Sequence, residues 1–308
     1  MKRFILRRLL NLVPVLLGIS LAAFAVMYVL PGDPAALLSP QGTDARALAA
    51  IRARHHLDAP LGTQYLFFLG RAVRGDLGES IRSDQPVAGI LLERFLPTLQ
   101  LALGSLLFAL ALGIAAGVLS AARPRSVVDA ACMLAALAGV SLPVFWLGML
   151  LILLLTGPGS FFAVSGYEPL NLRYFALPCA ALGSVTAAGI ARLTRSSLLE
   201  TLGRDYIRTA RAKGLAEWRV VLRHGLRNAL IPIVTLIGSS LAGLLSGAVL
   251  TETVFNIPGI GSAILDAISG RDYPVVVGAV MWLAATFVVV NLIVDLVYVW
   301  LDPRIRYE

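Results

Sequence analysis

The sequence predicts an all-α integral membrane protein with six transmembrane helices and both termini in the cytoplasm. Three observations predict it. Of 308 residues, 58% are hydrophobic and only 14% charged, and the mean hydropathy of +0.81 lies far outside the range of soluble domains. Six long runs carry no charge at all. The basic residues between those runs gather on alternate segments. A soluble fold would have to bury six such helices with almost no polar surface left to cover them, which excludes that class.

The first run, Leu9–Gly32, supplies a span over about residues 9–30, since a helix needs about 20 apolar residues to cross a bilayer. Its basic start "MKRFILRR" imitates a secretory leader. The apolar stretch exceeds the ~7–15 residues of a leader core, however, and no A-x-A-like site precedes "LPGDP" at Leu30–Pro34, so the span is expected to be retained. Residues 31–94 follow as an external loop, long enough for a cap of short helices. Residues 1–95 are thus an N-terminal unit of span plus cap.

Phe95–Ala122 gives the second span, about 96–120. Ala130–Tyr167 is too long for one span, and "TGPGS" at Thr156–Ser160 breaks it, so the third covers about 130–155. Tyr174–Ala191, Asn228–Thr251 and Tyr273–Val294 give spans over about 174–191, 229–250 and 275–300. Residues 96–301 then form one transmembrane domain with a cytoplasmic loop at 192–228 and an external loop at 251–274. A short helix, Ser262–Ser269, is expected in the latter, and residues 302–308 are a cytoplasmic tail. Cys132 and Cys179 both fall in spans, as small packing residues.

Orientation follows from charge. Lys2, Arg3, Arg7 and Arg8, then Arg123 and Arg125, then nine basic residues in 192–227, then Arg304 and Arg306 lie on one side, 17 in all; the two short loops opposite hold only Arg173 and Arg271. The loop 31–94 has seven basic and seven acidic residues and is long enough to be exempt from the rule. The rich side is cytoplasmic.

Sidedness explains the sign of the 192–228 loop but not its pattern. Asp205 is a good N-cap, Tyr206–Lys213 contains no helix breaker, and Gly214 suits the C′ position. Arg208, Arg211 and Lys213 load the end where cations favour the helix dipole. Upstream, Leu198, Leu202, Tyr206 and Ala210 keep an i, i+4 stripe. A second helix is expected from about Ala216, with Trp218, Val221, Leu222, Gly225, Leu226 and Ala229 on its apolar face and Arg219, Arg223 and Arg227 opposite. This helix–turn–helix suits either a pair of helices lying on anionic lipid or a rigid protrusion for a cytoplasmic protein partner.

These residues carry a resemblance. "DYIRTARAKGL" followed by "LRHGLRNALIP" is similar to the cytoplasmic EAA-type loop of ATP-binding-cassette importer permeases, in the dipeptide/oligopeptide/nickel branch, B-type subunit. "LPGDP", "GDLGESI" (Gly75–Ile81) with Pro86-Val87, "LPTLQLAL" (Leu96–Leu103), "ARLTRSSLLE" (Ala191–Glu200), "TETVFNIPGIG" (Thr251–Gly261), "RDYPVV" (Arg271–Val276) and "NLIVDLVY" with "LDPRIRY" (Asn291–Tyr307) extend it over nearly the whole chain. One departure is that the general pattern has a glutamate six residues before the glycine, where this chain has Arg208; the Gly214-to-Pro232 spacing is also longer.

The resemblance implies the type I ABC importer permease fold and an alternating-access role in importing peptides, glutathione or a nickel chelate across the bacterial inner membrane. It implies as partners a second permease subunit, two ATPase subunits that carry ATP and Mg, an external solute-binding protein and the lipid bilayer, with no nucleic acid. Asp205, Tyr206, Arg208, Thr209, Ala210, Arg211, Lys213 and Gly214 are its implied ATPase-coupling residues. Glu252, Phe255, Pro258, Gly259, Arg271, Asp272 and Tyr273 are its implied external gate or docking surface. No catalytic residue, metal site or cofactor is expected on this chain. Its two lysines, Lys2 and Lys213, do not follow a glycine, so no G-x-x-x-x-G-K-[ST] phosphate loop can form.

Three further residues are weighed on chemistry. Asp295 is the one charged residue inside an expected span, suited to a structural pairing near the cytoplasmic end or to a proton relay. His55-His56 lacks a third metal ligand. Pro14, Pro143 and Gly148 mark places where spans 1 and 3 kink or pack closely. A self-contained secondary transporter is the rival class; no inverted halves are evident, and a lone intramembrane acid is thin support for it.

Overall fold

In lipid every backbone amide must find its partner within the chain, so the apolar runs are expected as helices. The computed structural model describes the backbone of residues 2–29, 33–39, 43–54 and 56–301, and within it the regular structure is helical apart from one isolated bridge, Glu79 to Pro86. In chain order the helices are α1 (Lys2–Val29), α2 (Pro34–Leu37), α3 (Ala45–Arg54), α4 (Leu61–Val73), α5 (Val87–Ala122), α6 (Val127–Ser141), α7 (Val144–Leu155), α8 (Leu172–Leu202), α9 (Asp205–Ala212), α10 (Glu217–Arg219), a π-helical segment (Val220–Leu226), α11 (Arg227–Phe255), α12 (Ile260–Gly270) and α13 (Tyr273–Leu301). Within the described residues each of the six apolar runs falls on one of these helices except the third, which is broken. By length and composition three described helices qualify as spans singly, α5, α8 and Tyr273–Val294 of α13, and up to six segments do if each bent pair counts once.

Internal packing divides the chain into two units, Met1–Leu96 with Pro258–Glu308, and Pro97–Ile257. In the first, α1 packs on α13, α4 and α2, and α12 packs on α13. Val87, Leu91, Ile260, Ala267, Val275 and Ala279 form its core, flanked by Leu77, Phe95 and Trp282. Residues 31–94 hold the short helices α2, α3 and α4, and the helix of the second span begins at Val87, inside the loop drawn at 31–94. Asp33 joins α2 to α3: it accepts a hydrogen bond from the Ala35 amide and one of 2.6 Å from Arg52, and the Arg52 contact holds its carboxyl below the usual range. Of "LPGDP", Leu30–Gly32 lie outside the described residues, as do His55 and the tail 302–308.

In the second unit α8 is the central element, packed by α6, α7 and α11. Small residues let α5 approach it. A Cβ on Gly113 would come within 2.7 Å of the Ala187 carbonyl oxygen, one on Gly117 within 2.5 Å of the Thr194 Cβ, and one on Gly104 within 2.6 Å of the Cys179 Sγ. This is the small-xxx-small contact by which spans associate when the hydrophobic effect is absent between them.

Two expectations change here. The third span is not one helix, because α6 and α7 meet at Leu142–Pro143 with a bend of 112°. Pro143 has no N–H to continue the ladder, and the residue before a proline is driven to extended backbone, as Leu142 is (φ −88°, ψ 132°). Gly148, also singled out, lies in α7, where an added Cβ would stand 3.0 Å from Phe255; it serves close packing. The 251–274 helix is α12, starting two residues before Ser262 and ending one after Ser269.

Candidate functional site

The expected coupling residues form a capped helix with one buried and one exposed face. In α9, Ile207 and Ala210 are buried and pack with Val220, Leu202 and Leu215. Asp205, Tyr206, Arg208, Thr209, Arg211, Lys213 and Gly214 face outward. The C-terminus closes as anticipated: Gly214 takes a left-handed φ of +78°, its amide donates to the Arg211 carbonyl (2.9 Å) and the Leu215 amide to the Ala210 carbonyl (3.4 Å). That is the paired bonding of a Schellman stop, completed by the Leu215–Ala210 apolar contact. At the other end the cap residue is Arg204, in extended backbone, and Asp205 is the first helical residue. Asp205 therefore favours the helix through the dipole rather than by capping an amide, and pairs with Arg208 at 3.5 Å.

The buried stripe is also displaced by one residue. Ile207 is fully buried whereas Tyr206 is 39% exposed, because Tyr206 is used as a strut. Its hydroxyl donates to the His224 carbonyl (3.3 Å) and accepts from Asn228 Nδ2 (2.7 Å). A second strut is Arg211, which reaches Glu217 through Nε (3.1 Å) and a terminal nitrogen (2.7 Å). The hydrogen bond from Arg211 holds the Glu217 carboxyl below the usual range. α9 is thus fastened at two points to the helix that follows it.

That second helix begins at Glu217, as expected to within a residue, but its buried residues are Val220, Val221, Gly225 and Ala229. Trp218 (62% exposed) and Leu222 (48%) turn outward instead. The cause is the π-helical segment Val220–Leu226, whose wider i→i+5 turn shifts the face that a 3.6-residue period selects. His224 is partly exposed.

One cluster was not singled out from the sequence. Asp129 at the start of α6 accepts two hydrogen bonds of 2.7 Å from Arg195 on α8, one from the Ser120 hydroxyl at the end of α5 and one from the Arg125 amide at 2.9 Å. Ser126 caps α6 by accepting from the Asp129 amide. Three helices are tied by one carboxylate whose side chain is 7% exposed. The signal was present as Ser126-x-x-Asp129 ahead of an apolar run, a capping pattern.

The residues expected at an external gate or docking surface fall into two sets. In the second unit, Glu252 and Phe255 lie in the last turn of α11, both buried. Glu252 accepts from Thr98 Oγ1 at 2.6 Å. The Phe255 carbonyl accepts from the Gly166 amide at 3.0 Å. In the first unit, Gly259 caps α12 and is buried, Pro258 is half-buried and Arg271 is exposed at φ 54°. Asp272 is buried; its carboxylate accepts from the Ser80 hydroxyl (2.5 Å) and the Ile81 amide (3.1 Å). Two of the quoted strings, "GDLGESI" and "RDYPVV", therefore meet in space. Tyr273 lines a cavity of about 320 Å³ together with Phe24, Tyr28, Phe67, Phe68, Gln64 and Arg71. His56 stacks on Phe67, ring centroids 4.0 Å apart. Among the described residues no group of three potential metal ligands occurs. The Asp295 side chain lies outside them.

Comparison with known proteins agrees with this architecture. Residues 113–307 match the family described as the binding-protein-dependent transport system inner membrane component, and residues 1–102 match the family described as the N-terminal part of such membrane components. The chain is 41% identical to the dipeptide transport system permease protein DppB of Escherichia coli (strain K12), with both chains fully covered. It is 40% identical to the glutathione transport system permease protein GsiC of the same strain, again over the whole of both. Among solved structures, an inward-facing form of the MetNI methionine ABC transporter superposes with a TM-score of 0.54 over 69% of this chain and 96% of that one, at 20% identity, a likeness of fold. An all-helical chain with these apolar helices, matched along its length by both family patterns, belongs to the binding-protein-dependent transport system inner membrane components.

Proposed function

We propose that this chain is one of two permease subunits of an ATP-driven importer for peptides or closely related small solutes, worked by two separate ATPase subunits and supplied by an external solute-binding protein. The observation that carries the coupling is α9. A short helix with a closed C-terminal stop, tied to its neighbour through Tyr206 and Arg211 and presenting an outward face of Tyr206, Arg208, Thr209, Arg211 and Lys213, can transmit force as a rigid body. With no phosphate-binding loop in the sequence, nucleotide hydrolysis is assigned to partners, and α9 is where their motion enters. The 17-to-2 division of basic residues supports a cytoplasmic 192–228 loop and cytoplasmic termini. Two relatives named for dipeptide and glutathione transport support a peptide-like substrate. By the family resemblance Glu252, Phe255, Pro258, Gly259, Arg271, Asp272 and Tyr273 are assigned to the external gate or to binding-protein docking; of these, buried Glu252, Phe255 and Asp272 suit a gate and exposed Arg271 a docking contact.

Cross-linking tests the coupling role. With Cys132 and Cys179 replaced, Thr209→Cys is expected to form a cross-link to an ATPase subunit whose extent changes when ATP is added. Ser83→Cys, in the outer loop, is expected to form none. Equal labelling at the two positions, or no ATPase cross-link at Thr209→Cys, would remove α9 from the coupling path.

A further inference from the structure

The helix leaving the 192–228 loop has a face that coupling does not use. From Glu217 the chain runs as uninterrupted helix, with three residues in α10, seven in the π segment and 29 in α11. It is bent by 55° between Glu217–Leu230 and Pro232–Leu245, within a turn of Asn228, where the uncharged run begins. The charged turns before the bend therefore belong at the headgroup level and not in the ~30 Å hydrocarbon core.

Those turns carry two adjacent outward stripes. Trp218 and Leu222 are 62% and 48% exposed. Arg219 and Arg223 are exposed beside them. The Arg219 guanidinium lies 5.1 Å from the centre of the Trp218 ring, so cation and aromatic face act as one unit. The opposite face is occupied: Val221 packs against Leu198 and Leu202, and a Cβ on Gly225 would meet Leu198 at 2.8 Å. Tryptophan favours the membrane–water interface, arginine stems lie along apolar surface with the head in water, and basic residues beside a span attract anionic headgroups. The outward face of α9 differs in kind, since it has Arg208, Thr209, Arg211 and Lys213. Its one large exposed apolar side chain, Tyr206, is tied by its hydroxyl to His224 and Asn228, and its only exposed aliphatic group is the Ala212 methyl. One occupant does not account for both faces.

We propose that Trp218, Arg219, Leu222 and Arg223 form a binding site for an anionic phospholipid, with the arginines on the phosphate and Trp218 and Leu222 at the glycerol and upper acyl level. The site rests on membrane insertion of the chain and not on which side the loop occupies, so it can fail or succeed independently of the proposed coupling.

The test uses the full-length chain with its bound subunits in nanodiscs, with Trp146, Trp282 and Trp300 replaced by phenylalanine so that Trp218 is this chain's one tryptophan, and its emission is read as the difference from the same assembly carrying Trp218→Phe as well. Phosphatidylglycerol brominated on its acyl chains, as a minor component among zwitterionic lipid, should quench Trp218 well beyond its share of the lipid. Brominated zwitterionic lipid at the same fraction should quench only in proportion. Arg219→Gln and Arg223→Gln should each reduce the enrichment about fivefold. If the triple replacement does not assemble, the same signal is read as the difference between the native chain and Trp218→Phe. Quenching in proportion to lipid fraction whatever the charge would overturn the site. So would emission that ignores brominated lipid and changes only when ATPase subunits or a second permease bind, which would show a protein on this face.

Discussion

Arg195 and Asp129 meet fork to fork, the geometry that a planar guanidinium makes and an ammonium does not. The Asp129 side chain is 7% exposed and that of Arg195 30%, so removing one partner leaves the other with a charge it cannot easily hydrate. Asp129→Asn keeps the shape and loses the charge. It is expected to lower the unfolding temperature of the detergent-solubilised chain, and Arg195→Gln should do the same. The double variant should lose less than the two singles added together, because both remove the same contact; strict additivity would mean that the pair is not a unit. Arg195→Lys should recover only part of the loss. Individual contacts of this kind were the least legible part of the sequence. Hydrophobic periodicity says nothing of which polar group will stand opposite Asp129, since that partner comes from 66 positions away. Tyr206 shows the same limit: its spacing placed it on the buried stripe, and its hydroxyl took it outward to His224 and Asn228.

Elements were legible wherever local chemistry decides them. Gly214 was expected at the stop of its helix, and it holds φ +78° with both Schellman bonds made. The break after Leu155 and the short helix before Arg271 were likewise written in glycine and proline. Pro143 was marked as a point of kinking or close packing, and neither the choice between them nor the size of the bend was legible, because the angle depends on what packs on either side. The outward turn of Trp218 was illegible for a related reason: a π segment has the same composition as an α-helix and a different period. Gly113 and Gly117, four apart in an apolar run, were a readable packing signal that stayed unread beside the stronger hydropathy pattern. Gly214 also gives the element-scale prediction. A Cβ there would meet nothing within 4 Å, so Gly214→Val acts through the backbone alone, at a cost of roughly 1–2 kcal/mol for the left-handed conformation. The variant should insert normally and retain its basic loop, yet lose ATPase subunits on co-purification and lose uptake. Arg219→Glu with Arg223→Glu should impair uptake less. The reverse order of severity would make the interface electrostatic and not a matter of helix shape.

For the whole molecule, composition and charge settled the class: the family match and the helical architecture agree with six apolar runs separated by polar loops. Sidedness rests on charge alone and has its own measurement. With native cysteines removed, Ser83→Cys should react with an impermeant thiol reagent in intact cells and Lys213→Cys should react only after the membrane is opened; labelling of Lys213→Cys in intact cells would invert the topology. That Pro258–Glu308 packs in one unit with Met1–Leu96 was not legible, because hydropathy does not say which distant segments pack together. The claim that gathers these observations is that energy arrives from ATP through α9, and not from an ion gradient through the chain itself. Uptake of a labelled dipeptide into proteoliposomes containing the chain and its partner subunits measures it directly, with ATP supplied on the ATPase side and the proton gradient collapsed by an ionophore. The account predicts accumulation that requires ATP and survives the ionophore. Accumulation that the ionophore abolishes, and that proceeds without ATP, would contradict it.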